Sequence, residues 1–299
     1  MKQSNGFPMV HCPQMEQNYS CGNRTGENVF QKAAYIPVFT VGLFFNVLAI
    51  YIFLRGRSGW TDTHVYTFSL ALANSVLLLF LPIRTYDSFH RLDCTPFCKL
   101  LISIHYLNMY VSIFTRAAIS IHRCVAVNFP IYKRSRGPQK RVAFVVCVLI
   151  WVGAIGLNVA FHEDYSVEKF ISCYERKWER LPAGHLELLL VVGFFIPLCV
   201  ITVCTIQTIV SLHKSGKVSK KTGMTGIMTV NLVVFVICYS PIHVGFLLKF
   251  YIGKCTCPTY LFYQVSEWMA TTNCCWDPVG YYFLLKKFFT SKCHLHGQS

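Results

Sequence analysis

Few side chains inside the long apolar stretches of this sequence could do chemistry. Asp277 precedes Pro278 in the stretch NCCWDPVGYYF, and Arg116 lies within another apolar stretch. A charged group at membrane depth is costly unless it is paired or hydrated, so it marks a functional site. Aspartyl proteolysis needs paired carboxylates, but Asp277 has no acidic partner at its depth, and the sequence contains no H-E-x-x-H metal motif. The pattern therefore argues against an enzyme and indicates neither a metal nor a cofactor.

The elements that carry these groups are predicted to be transmembrane helices. The chain has 299 residues, of which 54% are hydrophobic and 14% are charged, and its mean hydropathy is +0.43. About 20 apolar residues are enough to cross roughly 30 Å of hydrocarbon. Such stretches are at 33–54, 65–86, 99–121, 142–161, 185–212, 226–252 and 260–283. The sequence thus predicts an all-α, seven-transmembrane bundle, and it lacks the repeated halves that are typical of transporters.

Charge placement predicts the orientation of the bundle. Basic residues fill one set of loops, whereas all acids except Asp62 and Asp277 fall on the other side. Lys and Arg mark cytoplasmic loops, so we expect an extracellular N-terminus, a cytoplasmic C-terminus and a place in the plasma membrane. Two glycosylation sequons, at Asn18 and Asn23, agree with this orientation. The net charge of +15 is then explained by orientation and contact with anionic membrane lipids rather than by nucleic acid.

The cysteines divide between the two sides of the predicted bundle. Seven lie on the outer side, where disulfides persist, and their odd number leaves one free or paired between chains. These are Cys12, Cys21, Cys94, Cys98, Cys173, Cys255 and Cys257. Seven others are expected to be buried thiols that pack as small apolar groups. These are Cys124, Cys147, Cys199, Cys204, Cys238, Cys274 and Cys275.

Polar residues and prolines mark the middle of the predicted helices. The polar residues expected at mid-depth are Asn46, Asn74, Ser112, Arg116 and Asp277. Pro197, Pro241 and Pro278 fall in the last three segments, where each removes a backbone hydrogen bond. Three loosened helices around a polar cluster indicate a bundle that is built to move.

The order of these motifs resembles the rhodopsin-type (class A) G-protein-coupled receptors over about residues 33–292. The resemblance is carried, one motif per segment, by FFNVLAI, LALAN, HRC at 122–124, Trp151, Pro197, CYSP at 238–241 and DPVGY at 277–281. NCCWDPVGYY, VFVICYSPIHVGF and IYKRSRGPQK are most similar to the purinergic-like branch, especially its lysophosphatidylinositol and kynurenate-responsive receptors. The resemblance implies an extracellular segment 1–32, a bundle 33–283, and an amphipathic eighth helix with a short tail over 284–299.

The resemblance also implies roles for single residues. Arg123 would engage the heterotrimeric G-protein, and Tyr281 would swing toward Arg123 on activation. Tyr239, two residues before Pro241, would be the toggle aromatic beneath the ligand. Cys98 would form a disulfide with Cys173. Cys293 follows FLLKKFFTSK, which resembles the eighth helix of the family, and palmitoylation is plausible there.

Three positions depart from the family pattern. Asn74 and His122 replace acids, and Arg116 replaces a large aliphatic residue. Arg116 precedes Arg123 by two helical turns, about 10 Å deeper, where it cannot easily reach water. We expect Arg116 and Asp277 to form a buried ion pair, with Asn74 and Ser112 bonded nearby, in place of the sodium-and-carboxylate cluster of the family. The alternative is that Asp277 binds water or Na⁺ while Arg116 faces a hydrated crevice.

His122 removes the anion that usually restrains the inner arginine. Lys221 on the sixth segment offers no acid in its place, so Arg123 is expected to be freer and basal activity higher. The opposing interpretation is a receptor that couples poorly or not at all, such as a silent or scavenging receptor.

The outer half of the bundle is expected to hold the ligand. The candidate residues there are Arg84, Tyr86, His105, Tyr106, Met109, His185, His243, Phe246, Lys249, Glu267 and Thr271. In terms of the resemblance, His105 stands where amine receptors carry an acid, and Thr271 where opsins carry their lysine. The cations Arg84 and Lys249 favour a small anion, either a lysophospholipid or a carboxylate. The alternative is that Arg84 pairs with Glu267 and selects no ligand.

Overall fold

The described chain is built from seven helical elements. A computed structural model describes residues 24–55, 61–90, 92, 95–129, 140–160, 173–174, 181–214, 218–252 and 257–278, without the side chains of 24–32, 218–224 and 257. The helices are α1 (Arg24–Arg55), α2 (Asp62–Phe89), α3 (Pro96–Asn128), α4 (Lys140–Ala160), α5 (Ala183–Lys214), α6 (Val218–Tyr251) and α7 (Cys257–Thr271). The all-α architecture predicted from the sequence is confirmed, and there is no strand in these residues.

Helices α1 to α6 are each long and apolar enough to cross a membrane. The seventh predicted stretch, 260–283, corresponds to α7 and the helical residues 273–278, where the described part of the chain ends. Helix α1 begins at Arg24, ahead of the predicted start at residue 33, although its candidate span is Ala33–Arg55. Several other helices likewise extend by a few residues beyond the apolar stretches that predicted them, because polar ends continue the helical hydrogen bonding.

The apolar surface of the bundle faces outward as well as inward. Only Ala143, Cys147 and Ala154 of α4 are buried, while large residues such as Phe144 and Leu149 are more than 60% exposed. In water such a surface would be unfavourable, and in hydrocarbon it is not. The arrangement of α4 is therefore that of a helix with one narrow packed edge and a broad lipid-facing side.

Helix α5 contains a π-helical turn that ends two residues before Pro197. Residues Val191–Phe195 form this turn between the α-helical parts Ala183–Leu190 and Ile196–Lys214. The ring of Pro197 would clash with the carbonyl of residue 193 in a regular α-helix, and the wider turn relieves that clash. Gly193 lies within this turn, and a Cβ placed on it would be 2.8 Å from the ring of Tyr110. The bulge thus brings the α5 backbone close to α3.

Helix α7 is interrupted one turn before its acid. Thr272 lies in a turn, and its backbone N–H donates to the carbonyls of Trp268 and Met269. Helical structure resumes at residue 273. Helix α6 by contrast runs without interruption through Pro241. The short segment 273–278 carries Asn273, Asp277 and Pro278, so the buried acid lies on the helical segment that follows the turn.

Several predictions fall outside the described residues. These concern the glycosylation sites Asn18 and Asn23, Tyr281, the palmitoylation site Cys293, the eighth helix and the pairing of Cys12, Cys21, Cys94, Cys255 and Cys257. Of the seven cysteines expected to be buried thiols, all are free, but Cys199 is exposed and Cys204 and Cys275 are only partly buried. For Cys199 that expectation was wrong, because its position on α5 faces the apolar exterior of the bundle.

Candidate functional site

A disulfide defines one end of the bundle. Cys98 at the start of α3 is bonded to Cys173, and both are buried. We call this the outer end and the opposite one the inner end. Asp87 near the end of α2 accepts hydrogen bonds from the backbone N–H groups of Leu92 and Tyr174, at 2.9 and 3.2 Å. Together the disulfide and Asp87 hold Tyr174 over the outer end.

An outer cavity, open at its mouth, lies beneath Tyr174. Five residues predicted to bind ligand line it: Arg84, His105, Tyr106, Lys249 and Glu267. The other five lining residues, which sequence reasoning missed, are Ile102, Tyr174, Tyr260, Tyr263 and Gln264. Tyr260, Tyr263 and Gln264 face the cavity because of the rotation of α7 about its axis, and no motif in the sequence predicts that rotation. The cavity is therefore formed mainly by α2, α3, α6 and α7.

Six of the eleven candidate ligand residues do not line this cavity: Tyr86, Met109, His185, His243, Phe246 and Thr271. Phe246 lies deeper, with its ring centroid 6.3 Å from that of Tyr106 and 6.3 Å from that of Tyr263. His243 is one helical turn below Phe246, and Met109 is also fully buried. Tyr86, by contrast, is exposed and stacks on His90. Phe246, His243 and Met109 therefore support the floor of the cavity rather than its walls.

Arg84 and Glu267 form an ion pair at the cavity wall. The distance from Arg84 Nη2 to Glu267 Oε2 is 2.7 Å, and their side chains are 7% and 15% exposed. The guanidinium also lies over the rings of Tyr35 and Tyr174, at 4.5 and 5.2 Å. These contacts fix Arg84 and neutralise part of its charge. The sequence left open whether Arg84 binds a ligand or pairs with Glu267. The pair is present, and it does not exclude that the cavity also binds a ligand.

The remaining cation of the cavity is Lys249. It is buried in α6, and its Nζ lies 5.5 Å from the centroid of the Tyr263 ring. Within the described part of the chain, three buried polar atoms of the cavity lining have no hydrogen-bond partner: Arg84 Nε, His105 Nε2 and Gln264 Oε1. Buried polar groups are normally bonded, so these atoms are available to a polar ligand or to water.

A column of aromatic rings descends from the cavity floor. The ring of His243 is 5.5 Å from Phe246 and stacks on Phe194 at 4.6 Å, and Phe194 stacks on Phe235 at 5.8 Å. Phe235 then contacts Tyr239, whose hydroxyl accepts a hydrogen bond from Asn273 Nδ2. Packed rings of this kind transmit displacement because the interior has little free volume. The column thus connects the outer cavity to the segment that carries Asp277.

A buried ion pair lies at the centre of the bundle. Arg116 Nη2 is 2.5 Å from Asp277 Oδ1, and the two side chains are 5% and 2% exposed. Arg116 Nη1 also donates to Asn231 Oδ1 at 3.1 Å. The pair expected from the sequence is therefore present, and it joins α3, α6 and the segment after α7. An ion pair at this depth is retained at a considerable desolvation cost, which points to a function.

Amide side chains extend this pair into a network. Asn74 Nδ2 donates to Asp277 Oδ2 at 2.7 Å, and Asn74 Oδ1 accepts from Asn108 Nδ2 at 2.9 Å. Asn46 Nδ2 donates to the carbonyl of Cys274 at 2.8 Å. Ser112 was also expected to bond here, but its buried hydroxyl has no hydrogen-bond partner among the described residues. The hypothesis is therefore confirmed for Asn74 and wrong for Ser112.

The inner end carries the arginine that was predicted to engage a G-protein. Arg123 lines an inner cavity, together with Arg116, Asn231 and Asp277 from the central network. The residue at position 122 is itself in contact with an acid. His122 Nε2 lies 2.7 Å from Asp62 Oδ2, so the first turn of α2 contacts the residue that precedes Arg123. Sequence reasoning noted Asp62 only as an acid on the basic side of the membrane.

The two cavities and the residues between them form one continuous arrangement through the bundle. Within the described ranges, no group of three or more His, Cys, Asp or Glu side chains could hold a metal ion. An outer cavity, an aromatic column, a central ion pair and an inner cavity follow one another through a bundle that spans the membrane. This is the arrangement of a membrane receptor with separate outer and inner binding surfaces.

Comparison with known proteins gives the family. The family model described as "7 transmembrane receptor (rhodopsin family)" matches residues 45–281. The chain belongs to this family, and it is a multi-pass membrane receptor rather than an enzyme.

Several curated relatives match most of the chain. It is 32% identical to "G-protein coupled receptor 35" of Homo sapiens over 267 residues, which cover 85% of this chain and 84% of the relative. It is 31% identical to "G-protein coupled receptor 55" of Homo sapiens over 279 residues, with 86% of each chain covered. It is 29% identical to "Lysophosphatidic acid receptor 6" of Mus musculus over 270 residues, which cover 82% of this chain and 78% of the relative. The similarity to the purinergic-like branch is confirmed by these relatives.

Proposed function

We propose that this chain is a cell-surface receptor that binds a small anionic or lysophospholipid-like ligand in the outer cavity and activates heterotrimeric G-proteins. The observation that carries the proposal is the outer cavity itself, which contains Arg84 and Lys249 among tyrosine rings and unpartnered polar atoms. Cationic groups at low exposure interact strongly with a carboxylate or phosphate. The relatives named for G-protein coupling and for lysophosphatidic acid support the same class of function.

The cavity is proposed to bind its anion through Arg84 and Lys249, the two cations of its lining. The charge of Arg84 is already balanced by Glu267 at 2.7 Å, so Arg84 contributes a donor edge rather than a net charge. The polar part of the ligand would then be held by three atoms that have no hydrogen-bond partner among the described residues: Arg84 Nε, His105 Nε2 and Gln264 Oε1. The apolar part would lie against Tyr106, Tyr263 and Ile102. An amphiphile with one anionic group fits this distribution.

Activation is proposed to pass from the cavity through the aromatic column to the central pair. Displacement of Phe246 or His243 would move Tyr239, next to Pro241, and through Asn273 the segment that ends in Asp277 and Pro278. The ion pair would then rearrange, and Arg123 would become available to the G-protein. Tyr281 is assigned to the same step by family resemblance alone. We also propose an outer N-terminal segment 1–32, a bundle 33–283 and an inner tail 284–299, in the plasma membrane.

A panel of G-protein activation sensors in cells tests this function. The probes are lysophosphatidic acid against a monoacylglycerol with the same acyl chain, and kynurenate against its methyl ester, so that each pair differs by the anionic group. Activation by an anionic member of a pair but not by its neutral partner is expected. Uptake of the anionic probe without response from any sensor would instead support a scavenging receptor, the alternative that His122 and Asn74 raise.

Three substitutions test the assigned roles in the cavity. Lys249→Met keeps the apolar stem and should weaken an anionic probe by about 1–3 kcal/mol, the value of a charge-assisted hydrogen bond. Glu267→Gln releases Arg84 from its partner and should strengthen the same probe. Glu187→Gln, on an exposed position of α5, is the matched control and should change nothing. If Lys249→Met and Glu267→Gln both leave potency unchanged, the proposed cavity chemistry is wrong.

A further inference from the structure

The wall of the outer cavity carries an acid beside its cations. Glu267 of α7 lines the cavity together with Arg84 of α2 and Lys249 of α6. Its Oε2 lies 2.7 Å from Arg84 Nη2, and the Glu267 side chain is 15% exposed. The Arg84 guanidinium is in turn held over the rings of Tyr35 and Tyr174. A fixed negative charge therefore remains in the wall of a cavity that is proposed to bind an anion.

The charge of the lining limits the charge of a ligand. Among the lining residues that the structure describes, Arg84 and Lys249 are cations and Glu267 is an anion, so two positive charges less one negative leave a net charge of +1 when His105 is neutral. Attraction to this lining grows in proportion to the charge of the ligand. The cost of removing an ion from water grows with the square of its charge, as in the Born description. A second negative charge on the ligand thus adds a larger desolvation cost than the first, and Glu267 reduces the attraction that would offset it.

We propose that Glu267 makes the outer cavity selective for amphiphiles with a single negative charge, such as phosphodiesters and carboxylates, over phosphomonoesters, which carry close to two. This selectivity rests on the proposed anion-binding function of the cavity and names the class of anion. Glu267 weakens the binding of every anion, but it weakens dianions more, and repulsive elements of this kind commonly supply specificity. A comparison of receptors with and without Glu267 depends on that one charge, whatever other contacts Lys249 makes.

The simpler role of Glu267 is to orient Arg84. In that role Glu267→Gln would misplace the guanidinium and weaken the binding of monoanions and dianions alike. Loss of a repulsive charge predicts the opposite sign, with both classes bound more tightly and the dianion gaining more. The double variant Arg84→Gln with Glu267→Gln removes one cation and one anion, so it leaves the net charge of the described lining unchanged.

The experiment measures the binding of two lysolipids to the full-length receptor in nanodiscs of neutral lipid. The probes are lysophosphatidic acid and its phosphate methyl ester, with the same tritiated acyl chain, and receptor-free nanodiscs give the background. At about pH 8 the phosphomonoester is a dianion, the methyl ester is a monoanion and an ordinary histidine is neutral. The ratio of the two dissociation constants is compared across variants, so that any contribution of the methyl group itself cancels.

The wild-type receptor is expected to bind the methyl ester about tenfold more tightly than lysophosphatidic acid, as one additional charge at a site of intermediate dielectric would produce. Glu267→Gln should tighten the binding of both probes and move the ratio about tenfold toward lysophosphatidic acid. The double variant and the control Glu187→Gln, an exposed acid of α5, should keep the wild-type ratio. Gln264→Glu adds a negative charge to the lining one turn from Glu267 and should move the ratio the other way, which tests the same rule without altering Glu267.

Three results overturn the proposed selectivity. These are a wild-type receptor that binds lysophosphatidic acid more tightly than its methyl ester, a ratio that is the same in Glu267→Gln as in Glu187→Gln, and binding of neither probe. G-protein sensors distinguish this failure from that of the proposed function. Selective binding of the methyl ester without a response from any sensor keeps the selectivity and rejects G-protein activation. Sensor responses to both probes, with one ratio of potencies in wild type and Glu267→Gln, keep the function and reject the selectivity.

Discussion

Removal of one charge from the Arg116–Asp277 pair should destabilise the receptor strongly. At the observed separation of 2.5 Å the attraction is about 6–7 kcal/mol for an effective dielectric constant of roughly 20. Most of this offsets the desolvation of both groups, so the net value of the pair is small. The cost appears when one partner is removed and the other stays buried, and it is then about 3–5 kcal/mol.

The two single substitutions leave different charges behind. Arg116→Leu leaves the Asp277 carboxylate with Asn74 alone, and Asp277→Asn leaves the guanidinium with Asn231. The double variant has neither charge, so it should be less destabilised than the sum of the singles by about 2–4 kcal/mol. This non-additivity arises only if the two charges are close to each other. It therefore distinguishes an Arg116 that is paired with Asp277 from an Arg116 that faces a hydrated crevice.

The assay is thermal unfolding of detergent-solubilised receptor, read by a thiol-reactive dye. Cys124, Cys147, Cys238 and Cys274 are free and buried, so they become reactive when the bundle opens. Each single variant is expected to melt roughly 10 °C below wild type at one fixed scan rate. Asn158→Leu on α4 removes a polar group remote from the network and serves as control. Additive shifts in the cycle would refute the buried pair.

Two further predictions concern the same core. Replacing sodium with potassium at constant ionic strength should shift neither the melting midpoint nor basal signalling, because Arg116 supplies the cation at Asp277; a sodium-dependent shift in either would show an ion at the site. Gly193→Ala should lower the melting midpoint by the equivalent of about 1–3 kcal/mol, since the added Cβ would be 2.8 Å from the Tyr110 ring. Gly156→Ala on α4, where a Cβ meets nothing within 4 Å, is its control and should be neutral or stabilising.

The central pair could be predicted from the sequence because few alternatives existed. Arg116 is two helical turns above Arg123 on the same face of α3, and that depth is too great for contact with inner water. Asp277 was the acid available at a comparable depth. The scarcity of charge inside the bundle, rather than any local motif, made the partner identifiable. Family resemblance supplied only the relative positions of the two helices.

Asp62 could not be assigned in the same way. It lies at the first turn of α2, where an acid has an ordinary explanation in the helix dipole. Its contact with His122 joins residues 60 positions apart, and it depends on the relative tilt of α2 and α3, which no periodicity reveals. A search for any acid on the basic side of the membrane would have found it, since Asp62 is the one exception to the charge pattern there.

The walls of the outer cavity were predicted in part. Arg84, Lys249 and Glu267 stood out as charges near helix ends, whereas Tyr263 and Gln264 are ordinary residues of an apolar segment. Their direction depends on the rotation of α7, and α7 is interrupted at Thr272. A threonine gives no strong signal for a break, so sequence alone could not set the rotation on either side of it.

The most direct test of the buried Arg116–Asp277 pair is an electron cryomicroscopy map of the ligand-free receptor that resolves side chains around Arg116. We expect continuous density between the guanidinium and the Asp277 carboxylate, with Asn74 on the second oxygen and Asn231 on the arginine. A separate density for an ion or water between Arg116 and Asp277, with the guanidinium turned toward the inner cavity, would contradict it.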